Sequence, residues 1–156
     1  MTSAAQKWKT FWSLTPAERR IARSAAVGLL TTWVGLRVFG FSRWQQMLVS
    51  KFPQVPAKTP AAPAVSANRI AQLQEAAALG LFLSTNCLDR SLALWSLLKR
   101  RGFPAELKLG ARKQSGTFEA HAWVELDGVA LNNPADEQRN FAPFDGAIAA
   151  METRAK

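Results

Sequence analysis

Apolar residues change their period at Pro104, and that switch limits the architectures open to this chain. Before it they recur every three or four residues. Thr15, Pro16 and Glu18 read as N-cap, first helical residue and the closing member of a capping box. The helix they open is predicted to run to about Val38, with Ile21, Ala25, Leu29, Trp33 and Leu36 on one face and Val27, Leu30, Val34 and Val38 widening it. Gly40 ends it, and Phe41 through Leu48 form a second short helix. Asn68–Phe82 is helical again. Ser84, Thr85 or Asn86 then caps a helix that begins at or near Cys87, runs to Arg101 and stops at Gly102. After Pro104 the apolar residues alternate, in Glu106–Leu109 and in Phe118–Leu126. Ser115-Gly116 marks one turn, and Asp127-Gly128 is a two-residue hairpin signal into Val129-Ala130-Leu131. The tail from Asn132 reads as loop plus a short terminal helix. Helices followed by an antiparallel sheet make an α+β fold.

Residues 52–67 hold four of the eight prolines and read as an extended connector. They separate a helical N-terminal segment, 1–51, from a core, 68–156. Charge divides at the same place. The first 66 residues carry nine Lys and Arg against one acid, Glu18, whereas basic and acidic residues nearly balance beyond them. Such an excess suits an acidic partner surface or anionic lipid. No nucleic-acid motif accompanies it, so nucleic acid is not an expected partner. Trp8, Phe11 and Trp12 break up the N-terminus, which lacks a signal-peptide pattern. The apolar run from Ser24 to Phe41 is interrupted by Thr31, Thr32 and Arg37. It reads as a buried or interfacial helix and not a spanning one, and the expected location is the cytoplasm.

One cysteine and one histidine leave little choice of chemistry. They exclude an intramolecular disulfide and any multi-cysteine zinc site or histidine cluster, so neither metal nor cofactor is expected. A thiol attacks only as thiolate. The unpaired N–H groups and dipole of a first helical turn, where Cys87 is expected, favour that anion and can also hold an oxyanion. His121 falls mid-strand, with Phe118, Ala120, Ala122, Val124 and Leu126 on the opposite face. A two-residue loop at Asp127-Gly128 would bring Asn132 onto the His121 face, within reach of the ring, while Asn133 would point away unless a bulge shifts the register. An amide oxygen can orient an imidazole as a carboxylate does. The plainer alternatives are a buried apolar thiol and a structural histidine.

Cys87-Leu88-Asp89-Arg90-Ser91-Leu92-Ala93-Leu94-Trp95 and Lys99-Arg100-Arg101-Gly102 resemble the stand-alone leader peptidases of lasso-peptide biosynthesis, a transglutaminase-like branch of the papain-type cysteine proteases. The likeness continues through Ala105–Gly110 and Phe118–Gly128, and covers Leu14–Arg20 near the N-terminus. It implies a papain/transglutaminase-like core whose antiparallel sheet packs on the cysteine-bearing helix. It also implies a cysteine protease that cuts the leader from a ribosomally made precursor before a macrolactam synthetase cyclises the product. Cys87 would be the nucleophile and His121 the general base. The family's third residue is usually an acid after the hairpin. The best-matching position here is Asn133, beside Asn132, a departure that leaves Asp136 as an alternative. The expected partners are the precursor's leader peptide, a separate leader-recognition protein and the macrolactam synthetase. The basic helical segment is their candidate docking surface, and contact with a membrane is left open. A rival reading is a non-catalytic scaffold that presents the precursor to the cyclase. A weaker one is acyl transfer to an amine.

Overall fold

The structure, a computed structural model, describes residues 13–50, 65–81, 83–114, 117–132 and 141–143. Its elements are α1 (Pro16–Val49), α2 (Ala67–Gly80), α3 (Cys87–Lys99), β1 (Glu106–Gln114), β2 (Thr117–Leu126), β3 (Val129–Ala130) and β4 (Ala142–Pro143). This is the α+β order expected from the change of period.

Each helix begins where its capping chemistry dictates. The Thr15 hydroxyl accepts from the Glu18 N–H at 3.3 Å, and the Glu18 carboxylate accepts from the Thr15 N–H at 2.8 Å, closing the capping box. Ser66 Oγ accepts from the Arg69 N–H at the start of α2. Arg69 in turn reaches Glu18 Oε1 at 2.7 Å, tying the first turns of α1 and α2 together. At the far end of α3, the Phe103 N–H bonds to the Leu98 carbonyl and the Gly102 N–H to that of Lys99, around a Gly102 φ of 82°. That is a Schellman closure, which favours glycine because its φ is positive.

Gly40, with φ 73° and ψ 171°, breaks α1 into two limbs. The second limb folds back along the first. Added to Gly35, a Cβ would sit 2.3 Å from the Trp44 ring, so that indole lies directly on the Gly35 backbone. Phe39 stacks on the same indole, with centroids 6.0 Å apart and planes 7° from parallel. Ser24 and Leu48 line one cavity although 24 residues separate them, a distance of about 36 Å along a straight helix at ~1.5 Å per residue. By length and composition α1 is apolar enough to cross a membrane. Its geometry is instead a bent pair of limbs.

One core joins the segments on either side of the proline-rich stretch. Ile21, Ala25 and Leu48 of α1 pack with Ile70 and Leu73 of α2, Leu92 and Leu98 of α3, and Leu107 and Val124 of the sheet. α1 and α3 run antiparallel: Arg37 meets Asp89 near one end, and Ser24 shares a cavity with Arg100 at the other. The buried stripe of α1 is Ile21, Ala25, Leu29, Thr32 and Gly35. Val27, Leu30, Val34 and Val38 are exposed on the opposite side.

The sheet order is β3-β2-β1-β4. β1 and β2 pair antiparallel from Glu106↔Glu125 to Gln114↔Thr117, and the turn expected at Ser115-Gly116 lies outside the described residues. Asp127 and Gly128 have φ of 52° and 77°, the backbone that a right-twisted two-residue hairpin needs, and Leu126 faces Val129 as the loop length predicts. The tail differs from its expected loop, since Ala142 and Pro143 pair with Ala111 and Gly110 and add an edge strand. The expected terminal helix lies outside the described residues. The alternation along β2 also needs correction. Phe118 is 75% exposed, whereas Trp123, on the His121 face, is 2% exposed. The Thr117–Ala120 end of β2 is exposed, and on the second face Phe141 stacks on His121.

Candidate active site

Asn86 is the residue that caps α3, and Cys87 is the first helical residue. Asn86 Oδ1 accepts from the Asp89 N–H at 2.9 Å, and Asp89 Oδ2 accepts from the Asn86 N–H at 3.0 Å. This box satisfies the third N–H of the helix. It leaves those of Cys87 and Leu88 pointing off the helix end, as two of the donors that a helix start cannot pair internally. The Cys87 thiol is free and half-buried.

Asp89 is only 1% exposed, and its second oxygen lies 3.5 Å from the Arg37 guanidinium. Arg37 also donates to the Trp33 carbonyl at 3.0 Å and stacks 4.0 Å above the Trp33 ring. The arginine that interrupts the apolar run of α1 thus balances the buried carboxylate beside Cys87. Sequence reasoning missed this pair, because nothing in either segment indicates that they meet.

One turn beyond Cys87, the wholly buried Ser91 donates through Oγ to the Ala122 carbonyl at 2.8 Å. Ala122 directly follows His121. Asn132 Nδ2 donates to the same Ser91 oxygen at 2.8 Å, and Asn132 Oδ1 accepts from the Val124 N–H at 2.9 Å. The Leu131 N–H continues the ladder to the Val124 carbonyl at 2.9 Å. Ser91 and Asn132 therefore fasten the start of α3 to the edge of β2 beside His121. Ser91 was not singled out from the sequence. Its signal was a hydroxyl one helical turn after the cysteine, on the same face of the helix.

His121 is half-buried and faces Gly110 across the ladder. Its ring stacks between aromatic neighbours, 5.0 Å from Phe141 and 6.2 Å from Trp123, centroid to centroid. Trp123 is fixed by its Nε1–H bond to Glu125 Oε1 at 2.7 Å. Gly110 is what lets the indole in: a Cβ there would lie 3.0 Å from the Trp123 ring and 3.0 Å from the Ala142 carbonyl oxygen. Arg112 bonds Glu119 at 2.7 Å and lies 4.6 Å from the Phe141 ring centroid, bracing its outer side.

Among the described residues His121 Nε2 is buried without a hydrogen-bond partner, and no hydrogen bond joins the ring to Cys87 Sγ. Asn132 directs its amide to Val124 and Ser91. Asn133 and Asp136 lie outside the described residues. No cluster of metal-ligating side chains is found among the described residues.

In comparison with known proteins, the sequence profile described as the Transglutaminase-like superfamily matches residues 29–144. No curated protein and no solved structure matches the chain. The matched span begins inside α1, before the proline-rich stretch, and includes Cys87, His121 and all four described strands.

Proposed function

This chain belongs to the transglutaminase-like superfamily, and we propose that within it the protein is a cytoplasmic leader peptidase, a cysteine protease that removes the leader from a lasso-peptide precursor before macrolactam cyclisation. The superfamily includes cysteine proteases. The finer assignment rests on the Cys87–Trp95 and Phe118–Gly128 sequences. The observation that carries the catalytic reading is the Ser91–Ala122 bond, which ties the turn after the chain's one cysteine to the residue after its one histidine.

In this mechanism His121 takes the thiol proton, and Cys87 Sγ attacks the carbonyl carbon of the scissile amide. The Cys87 and Leu88 N–H groups face the developing oxyanion. His121 then gives its proton to the leaving nitrogen as the C–N bond breaks. Water, deprotonated by His121, attacks the thioester and regenerates the thiol. Because Asn132 is engaged at the α3–β2 junction, Asn133 or Asp136 is assigned the role of orienting the imidazole. The substrate partners are the leader peptide and a separate recognition protein, with the macrolactam synthetase taking the product.

The test is mass spectrometry of a precursor incubated with its recognition protein and either wild-type or Cys87→Ala protein. Loss of a leader-sized fragment with wild type alone supports the protease. Intact precursor that stays bound to both proteins overturns it in favour of a scaffold. An adduct mass, with an amine in place of water, overturns it in favour of acyl transfer.

A further inference from the structure

The side of α1 turned away from the core is apolar where solvent would favour polar residues. Val27, Leu30, Val34 and Val38 follow helical spacing and are 43–66% exposed. A soluble helix normally places charged or polar residues there. Arg20 and Arg23 continue the stripe toward the N-terminus and are exposed. At the Gly40 bend, Phe39 and Met47 are exposed, and Arg43 lies between them along one shallow cavity. The one acid in the first 66 residues, Glu18, is already paired with Arg69.

A cleft of about 440 Å³ opens beside the stripe, between the limbs of α1 and the end of α3. Arg23 and Val27 belong to both stripe and cleft. Trp44 and Met47 form apolar wall, and Arg100 reaches in from α3. No acidic residue lines it. Its chemistry is that of a seat for an acidic group carried on an apolar body.

We propose that this face of α1 docks on an anionic lipid surface, with Val27, Leu30, Val34 and Val38 against the acyl boundary and Arg20, Arg23 and Arg100 at the headgroups. Basic residues beside an exposed aliphatic stripe are the pattern of helices that lie in a membrane interface. A second copy of the chain would bring two strongly basic faces together. A protein partner normally makes about one hydrogen bond per 100–200 Å² of interface, and the four stripe side chains offer none. Binding at the inner leaflet would hold a peptide-processing protein at the membrane without a spanning segment.

The experiment is co-sedimentation of the full chain with vesicles of phosphatidylglycerol and phosphatidylcholine, or of phosphatidylcholine alone. Wild type is expected to bind the anionic vesicles, weakly or not at all the neutral ones, and to be released by high salt. Val34→Glu/Val38→Glu should lower binding at least tenfold with an unchanged melting temperature, since both side chains already face solvent. Arg20→Glu/Arg23→Glu should lower it about fivefold or more per arginine, and it stands as the test if the valine variant fails to fold. Equal binding to neutral vesicles, no binding to anionic ones, or unchanged binding by the folded variants overturns the proposal. So does binding of the leader-recognition protein that depends on Val34 and Val38 while vesicles are ignored.

Discussion

Arg37, midway along the apolar helix α1, lies 3.5 Å from Asp89, the carboxylate that closes the capping box of the helix beginning at Cys87. Residues more than fifty positions apart thus converge on the first turn of α3. Asp89 has one oxygen on the Asn86 N–H and the other toward Arg37, with almost no solvent to replace either. Asp89→Ala should cost about 1–2 kcal/mol through loss of the bond that the carboxylate accepts from the Asn86 N–H. Arg37→Met should cost less, because the arginine side chain is 43% exposed. Chemical denaturation of the single and double variants should give a coupling of roughly 0.5–1 kcal/mol. Zero coupling would mean that the pair is incidental.

Ser91→Ala removes the Oγ bridge between the Ala122 carbonyl and the Asn132 amide, both at 2.8 Å. Asn132 Nδ2 is then left without that acceptor. A loss of about 1–3 kcal/mol is expected by urea denaturation. If the bridge aligns Cys87 with His121, precursor cleavage should fall further than the folded fraction does.

Gly110→Ala places a methyl group 3.0 Å from both the Trp123 ring and the Ala142 carbonyl. The indole must shift or β4 must separate from β1. Overpacking of this kind costs about 1–3 kcal/mol. Near-UV circular dichroism should report the displaced tryptophan, whereas retention of the wild-type spectrum and stability would refute the tight contact.

Glu18 carries the clearest pH dependence. Bonding from the Thr15 backbone N–H, then from the Arg69 guanidinium and the Thr15 hydroxyl, lowers its carboxyl from 4.5 to about 2. A folded-state value below the unfolded one contributes stability that is present above about 4.5 and is lost as pH falls toward 2. Glu18→Gln should therefore unfold at lower denaturant than wild type at pH 6, and the two midpoints should converge as pH approaches 2. Parallel midpoints across that window would show that the carboxylate is not specifically bonded.

Much of the architecture was legible because it is set by neighbours in sequence. The Thr15–Glu18 box, the break at Gly40, the close at Gly102 and the hairpin at Asp127-Gly128 each depend on a few adjacent residues, and each forms where those residues require. Which of Ser84, Thr85 and Asn86 caps α3 is left open by the sequence, because all three have suitable side chains, and the structure selects Asn86. Alternation along β2 predicts one buried side and leaves the other undetermined. It cannot show that Phe141 returns to stack on His121 or that β4 pairs with β1.

By itself the sequence determined the α+β order, the start of the helix at Cys87 and the strand bearing His121, because periodicity and capping act over a turn or a hairpin. Only the tertiary structure decided that Arg37 balances Asp89, that Ser91 and Asn132 bind α3 to β2, and that Gly110 admits the Trp123 ring. Those contacts join residues 13 to 52 positions apart, and no local pattern encodes them. They exist because one shared core brings α1, α3 and the sheet together, and buried polar groups must then find partners among whatever that packing places beside them.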